Sequence, residues 1–427
     1  MSSIKSGGNR SRTIMLIDVN SAFLSWEAAY RSYYGSAGSE PDLRDIPSIV
    51  GGDAKKRRGI VLAKSVPAKK YGIRTGDTVK DAMNMCPCLT VVPPNHELYS
   101  KASAAFVSFL QEITPSVEQY SVDECFIDIT GVKGLDADPV KTGDWIRHEI
   151  FSRFGYTVNV GISTNKLLAK MASELKKPDM THTLYPEEIE DKMWPLPIEE
   201  LFMSGPSTSF QLKQLGIKTI GDLACAGKDY LIRHFKPSRG TMLYNYANGI
   251  DESPVHPYEH LPKSIGNSST IPYDISDEKS AHLLILSLCE MVGKRLREHG
   301  MQAGAIGIMI KDSHFRHYLK SEKLPYCTQC TQTIYGFSKD LFGKLWNGCP
   351  IRAIGVYTSE LIKDGNKQLT FIHEEDKFNR IDPVIDRLRK EYGNNIIMRG
   401  GFVDSGMRCV KGGTGDTQFF PHMHSAL

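Results

Sequence analysis

Three carboxylates stand where they could do metal chemistry. Asp18 follows the apolar run Thr13-Ile14-Met15-Leu16-Ile17, and Asp123-Glu124 breaks a strand-like stretch from Val117 to Ile129. The apolar run predicts a buried strand ending in a carboxylate. The broken stretch predicts a hairpin with two carboxylates at its turn. Adjacent strands of one sheet would bring all three together. Clustered carboxylates repel unless a cation neutralises them. Oxygen-only ligands suit Mg²⁺, which leaves coordination positions for phosphates and water. Two such ions can activate an attacking oxygen and stabilise a leaving one. Taken singly, Asp123-Glu124 reads as a turn and Asp18 as a helix cap.

Cations accompany the acids. Between Asp53 and Lys80 lie nine basic residues against two acids, including Lys64, Lys69, Lys70 and Arg74. That is a local positive field suited to a triphosphate or a nucleic-acid backbone, or a solvated loop. On a helix from Asn165 to Lys177, Lys166, Lys170 and Lys177 fall within about 40° of one another at helical pitch. Leu167, Leu168, Met171 and Leu175 take the opposite side. One face should pack and the other present three ammonium groups. Leu212 to Leu223, LKQLGIKTIGDL, reads as helix, Gly turn, helix, resembling part of a helix-hairpin-helix that grips a duplex backbone through amides.

The elements around these residues suggest several domains. A length of 427 residues with 41% hydrophobic and 24% charged residues is ordinary for roughly three globular domains. Lys plus Arg is 52 against 49 Asp plus Glu, so any basic surface is local. Nine scattered cysteines point to a reducing compartment. No apolar run of about 18 residues exists, so no membrane span is expected. Residues 1–12 read as a polar tail without a secretory core. Strand, helix, hairpin, helix, strand, helix over 13–175 predicts an α+β sheet with helices on one face. Short helices between 186 and 250 predict a small helical domain. Pro254, Pro257 and Pro262 mark a linker. Residues 264–361 predict a second α+β domain, and 363–427 a polar tail with one helix from Pro383 to Tyr392. Gly51-Gly52-Asp53, the lone Cys327-Thr328-Gln329-Cys330, and His422 with His424 lack partners for a cyclase or zinc site. No P-loop occurs.

The order of the motifs is the specific signal. Ile17-Asp18-Val19-Asn20-Ser21-Ala22-Phe23, then Arg58-Gly59-Ile60-Val61, then Ala68 to Gly76, then Tyr120-Ser121-Val122-Asp123-Glu124, then Gly161 to Lys170 and on to Lys177-Pro178, resembles the Y-family translesion DNA polymerases, most closely their bacterial DinB/UmuC-like branch. The resemblance runs from about residue 13 to 360. It implies a multidomain α+β right hand: palm (13–26 and 88–184), fingers (27–87), thumb (185–255), linker (256–263), little finger (264–362) and tail (363–427). It also implies template-directed, low-fidelity synthesis past damaged bases, by a monomer in the cytoplasm at the nucleoid. Asp18, Asp123 and Glu124 match the family's catalytic metal ligands, joined by the carbonyl of Val19, with two Mg²⁺ that Mn²⁺ can replace. Phe23 matches the steric gate under the incoming sugar. Ile60 and Leu62 match residues covering the nascent pair, and Lys69 and Lys177 match cations on the triphosphate. Lys166, Lys170, Gly205 and Gly216 fall where DNA contacts are expected.

Two departures stand out. Val66 and Lys69 occupy finger positions where many relatives have Tyr and Arg, and Lys offers no bidentate fork. The thumb's usual Gly-x-Gly turn reads Met203-Ser204-Gly205-Pro206, and Pro206 lacks an amide donor. In the tail, Gln368-Leu369-Thr370-Phe371-Ile372 is similar to the sliding-clamp peptide of bacterial polymerases, with a last edge strand as the alternative. Two other classes compete: a non-catalytic DNA-binding scaffold, and a cyclase on a similar palm. The complete carboxylate set argues against the first. A little finger and clamp peptide would argue against the second.

Overall fold

The computed structural model describes residues 12–34, 41–52, 59–256, 261–363, 374–393 and 396–403. The elements in chain order are β1 (Ile14–Val19), α1 (Ala22–Tyr34), β2 (Ser48–Gly51), β3 (Val61–Lys64), α2 (Val66–Lys69), α3 (Val79–Met85), β4 (Thr90–Val92), α4 (His96–Ile113), β5 (Val117–Gln119), β6 (Glu124–Asp128), α5 (Pro139–Phe154), β7 (Val158–Ser163), α6 (Lys166–Glu174), β8 (Thr181–Thr183), α7 (Pro206–Gln214), α8 (Ile220–Cys225), α9 (Lys228–Phe235), α10 (Pro237–Ala247), β9 (Ser264–Ile275), α11 (Glu278–Glu298), β10 (Met301–Asp312), β11 (His317–Thr328), α12 (Thr331–Leu345), β12 (Ile351–Lys363) and α13 (Glu374–Tyr392). Two compact units divide the described residues: 12–52 with 61–256, and 59–60 with 261–403.

In the first unit a five-stranded sheet runs β5-β6-β1-β7-β8, with β1 antiparallel to both neighbours. Every residue of β1 is buried. Strand alternation sends Met15, Ile17 and Val19 into a cluster with Phe106 and Phe109 of α4 and Ile146 and Ile150 of α5. Ile14 and Leu16 take the other face, with Phe126 and Ala169 of α6. Helices therefore cover both faces, not one as the element order suggested, because α6 returns to the side opposite α4 and α5. The close approach of α6 depends on Gly161: a Cβ there would lie 2.0 Å from the Ala169 carbonyl oxygen. Asn165 starts α6 by accepting from the Leu168 amide at 2.8 Å, while its side-chain amide donates to the Gly249 carbonyl at 2.9 Å.

A three-stranded sheet, β3-β2-β4, packs with α2 and α3 around Ile49, Val61, Ile73 and Ala82. Helices α7 to α10 bury Leu212, Ile220, Leu231 and Leu243 together with Leu167 and Leu168 of α6. Within that cluster α7 and α8 are joined through Gly216 at φ +82°, and Thr219 caps α8. This is the helix, Gly turn, helix read from the sequence.

Just before α7, Met203 adopts φ +68°. A left-handed backbone costs a side-chain-bearing residue about 1–2 kcal/mol, partly offset by the greater unfolded-state freedom of glycine. Met203→Gly should therefore stabilise the protein by roughly 0.5–1 kcal/mol, read as a higher urea midpoint; an unchanged or lower midpoint would mean that Met203's contacts outweigh its strain.

The second unit has a four-stranded sheet, β11-β10-β12-β9, covered by α11 and α12. Helix α13 begins at Glu374, well before the expected Pro383, and it does not hang free. Arg297 of α11 donates to Asp386 at 2.6 Å and to Asp382 at 3.1 Å. Asp382 also accepts from the Thr331 amide that opens α12, at 2.8 Å. Arg389 and Arg399 reach Glu290 of α11, and Phe402 is buried. The eight cysteines among the described residues are all free thiols. No described helix is long and apolar enough to cross a membrane.

Candidate active site

Register builds the site. Asp18 is the cross-strand partner of Glu124, and the Val19 amide donates to the Asp123 carbonyl at 3.0 Å. The β5–β6 turn thus presses Asp123-Glu124 against the end of β1. By alternation Asp18 shares a face with Leu16 and meets α6. Lys177, just past α6, donates to Asp18 Oδ2 at 2.7 Å. Lys170 donates to Glu124 Oε1 and lies 3.5 Å from Asp18 Oδ2. Both ammonium groups also donate to Oε1 of Glu174, Lys170 at 2.8 Å and Lys177 at 2.9 Å. Carboxylate oxygens of Asp18, Glu124 and Glu174 all lie within 4.8 Å of one another. Asp123 turns instead toward Ser121, whose hydroxyl donates to Oδ1 at 2.6 Å.

The electrostatics follow from this crowding. Burial, helped by Asp18, raises the Asp123 carboxyl above its ordinary range despite the Ser121 hydrogen bond. Burial pushes Glu124 up to about 7, with Asp18 and Asp123 adding repulsion and Lys170 opposing it. Burial works against the Lys170 ammonium, but Glu124, Asp18 and Glu174 hold its pKa above the usual lysine value. Lys177 is raised in the same way: burial opposes its charge, and Asp18 and Glu174 outweigh it. An oxygen-only acidic set, buried at Asp18 and open at Glu174, with two ammonium groups drawn onto it, fits a divalent cation.

The three expected lysines separate. Lys166 pairs with Glu118 at 2.9 Å and Lys170 with the carboxylates, leaving their side chains only 14% and 11% exposed. They do not form an open row for a duplex backbone. Helix α6 is buried along both sides, because its lysines turn inward onto acids of the sheet. Lys177, at 34%, faces solvent at the rim.

Phe23, on the first turn of α1, stacks on Tyr99 of α4 with centroids 4.4 Å apart and planes 10° apart. The His96 ring stands perpendicular to it with centroids 6.3 Å apart, and the Trp26 ring is tilted with centroids 5.9 Å apart. The Tyr99 hydroxyl donates to the buried Glu27 at 2.9 Å. Sequence reasoning missed both Tyr99 and Glu174. Helical register held a signal for Glu174, which lies four residues after Lys170 and three before Lys177, on the lysine stripe.

Leu62 is half-buried against the same core as Phe23, whereas Ile60, Val66 and Lys69 are exposed. Gly205 is the N-cap of α7 and has no side chain to cap it. Lys64 and Lys69 lie near enough for Lys69 to lower the Lys64 pKa, after burial as the larger cause. A cavity of about 620 Å³ borders Lys170 and Glu174 and is lined further by Phe202, Met203, Gly205 and Arg239. Gln368, Leu369 and Phe371 lie outside the described residues, as do residues 53–58.

The chain is similar to known proteins in sequence and in fold. Residues 17–174 match the impB/mucB/samB family, residues 262–371 its C-terminal domain, and residues 204–251 the DNA polymerase-iota thumb domain. DNA polymerase IV of Clostridium acetobutylicum is 44% identical over 392 residues, covering 91% of this chain and 98% of that protein. DNA polymerase IV 1 of Bacillus subtilis is 34% identical over 418 residues, covering 96% and 98%. A solved Y-family DNA polymerase chimera superposes with a TM-score of 0.71 at 22% identity, covering 82% of this chain and 99% of that one. The chain belongs to the impB/mucB/samB family of bacterial Y-family DNA polymerases. It is a DNA-directed DNA polymerase of the translesion type, with the α+β multidomain fold of that class.

Proposed function

We propose that Asp18, Asp123, Glu124 and the Val19 carbonyl hold two Mg²⁺, with Mn²⁺ able to substitute. The observation that carries this is the cross-strand pairing of Asp18 with Glu124 beneath two ammonium groups. Bound there, the ions supply activation of the attacking oxygen and stabilisation of the leaving one. The reaction joins the primer 3′-oxygen to the α-phosphorus of a deoxynucleoside triphosphate and releases pyrophosphate. Lys177, at the solvent rim, and Lys69, on the fingers, neutralise the triphosphate. Phe23 lies under the sugar and excludes a 2′-hydroxyl. Ile60 and Leu62 cover the nascent pair, and Gly205 and Gly216 offer thumb amides to the duplex. The assay is primer extension on undamaged and abasic templates with Mg²⁺. Extension past both supports the reading, and duplex binding without extension overturns it in favour of a scaffold.

The chain works as a monomer on cytoplasmic, nucleoid DNA, and Gln368, Leu369 and Phe371 dock it on the bacterial sliding clamp. Leu and Phe spaced by one residue suit an apolar groove on a partner. Replacing Leu369 and Phe371 by Ala should abolish clamp pull-down and leave distributive synthesis intact; retained binding would refute this docking peptide.

A further inference from the structure

The carboxylate of Glu174 has no place in the reaction so far described, yet it sits where it touches both lysines of the site. Its Oε1 accepts from Lys170 at 2.8 Å and from Lys177 at 2.9 Å. It closes α6, four residues after Lys170, so one helical turn sets its distance from that lysine. Lys177 lies beyond the helix, on a flexible stem whose fixing costs rotamer entropy. Its other partner is Asp18, at 2.7 Å.

We propose that Glu174 is a positioning residue: it holds Lys177 at the mouth of the site for the incoming triphosphate, acting through that lysine and not on the substrate. The inference rests on the assignment of Lys177 to the triphosphate. Without Glu174, Lys177 has Asp18 as its remaining carboxylate partner and folds down onto it. Asp18 then gains a competing charge and the rim loses its ammonium. With Glu174 present, Lys177 keeps an anchor at the rim even when the charge of Asp18 is shared with a bound cation. Lys170 keeps its grip on Glu124 while donating to the same Glu174 oxygen. Glu174 at 40% and Lys177 at 34% are the exposed members of the cluster, so this end of it opens to solvent.

The test is a double-mutant cycle on the full chain with Glu174→Gln, Lys177→Met and the pair. It is read as KM and kcat for incorporating one deoxynucleotide, and as the Kd of that nucleotide for a complex with a dideoxy-terminated primer. Glu174→Gln should raise both KM and Kd about tenfold, the worth of one charged hydrogen bond, with kcat changed less than about twofold. In the Lys177→Met background the same substitution should have no effect. Additive effects, or a fall in kcat with KM unchanged, would overturn the proposal; the latter would make Glu174 a carboxylate of the reacting centre. A Lys177→Met variant with unaltered KM and Kd would sink the triphosphate assignment of Lys177 itself, and this inference with it. Should Glu174→Gln fail to fold, Glu174→Asp keeps the charge but is one methylene shorter. It cannot span both ammonium groups, so it should show the same KM and Kd increase.

Discussion

Asp123→Asn should reduce primer extension on the order of 10³-fold or more while leaving the protein at least as stable as the original. A thousandfold loss corresponds to about 4 kcal/mol of transition-state stabilisation, a reasonable share for one carboxylate of a two-metal centre. The stability half of the expectation comes from the crowding at the end of β1. Asp123 is half-buried, its pKa is raised, and it adds repulsion to Glu124. A neutral isostere removes that repulsion and keeps the volume. The sign can be worked out for Glu124, whose folded pKa of about 7 lies above the ordinary carboxylate value. Its contribution to stability is fully present below that ordinary value and is lost as pH rises through about 7. In EDTA, the melting temperature of the original protein should fall from pH 6 to pH 8, and Asp123→Asn should flatten that fall. Retained synthesis, or a melting temperature several degrees lower at pH 8, would refute the assignment. The case fits a general pattern: active sites hold charge at a cost in stability.

Phe23→Ala should relax sugar selection about a hundredfold or more. Residues that reject a substrate by steric collision act only if they cannot yield. Phe23 is held against yielding. Its ring lies flat on Tyr99, with the His96 ring perpendicular to it and the Trp26 ring tilted against it. Tyr99 is in turn fixed through its hydroxyl to Glu27. Swinging the ring away would forfeit a stacked pair worth roughly 0.5–1.5 kcal/mol beyond its buried area. A ribose 2′-hydroxyl would therefore meet a rigid wall, and alanine would leave an opening. The measurement is kcat/KM for matched ribo- and deoxyribonucleotides. An unchanged ratio would move the gate to another residue.

Most of the site was legible because chemistry and order coincide. Asp18 stands at the end of an apolar run, and Asp123-Glu124 interrupts another, so two strands and three acids could be read together. Antiparallel pairing then made Asp18 and Glu124 neighbours. The direction of the lysines was not legible. A helical wheel shows which residues share a side of α6, but not that acids of the sheet await them. Lys170 reads as a surface cation until Glu124 and Glu174 are placed around it. The two-sided covering of β1 was missed for a related reason: a wholly apolar strand says that both faces are buried, but element order does not say by what. In the second unit β11 carries a weak strand signal, because its residues alternate between exposed and half-buried and Lys320, Glu322 and Lys323 mask the pattern of an edge strand. Helix α13 was shortened to its part after Pro383 because an interior proline ordinarily ends a helix. Here the segment before it is helical as well.

The ion pairs that fasten α13 to α11 set a timetable for the growing chain. Arg297 meets Asp386 across 89 residues, and Glu290 meets Arg389 and Arg399 across 99 and 109. At about 5–20 residues per second of synthesis, α11 leaves the ribosome roughly 5–20 s before its partners are made. Through that interval Arg297 has neither Asp382 nor Asp386, and the side of α11 that meets α13 stays uncovered. The catalytic unit, whose last described residue is 256, can close around its carboxylates during the same interval. The unit that holds Asp18 and Glu124 is thus complete before α13 is made, and Arg297 and Glu290 of α11 wait for partners encoded about 90–110 residues further on.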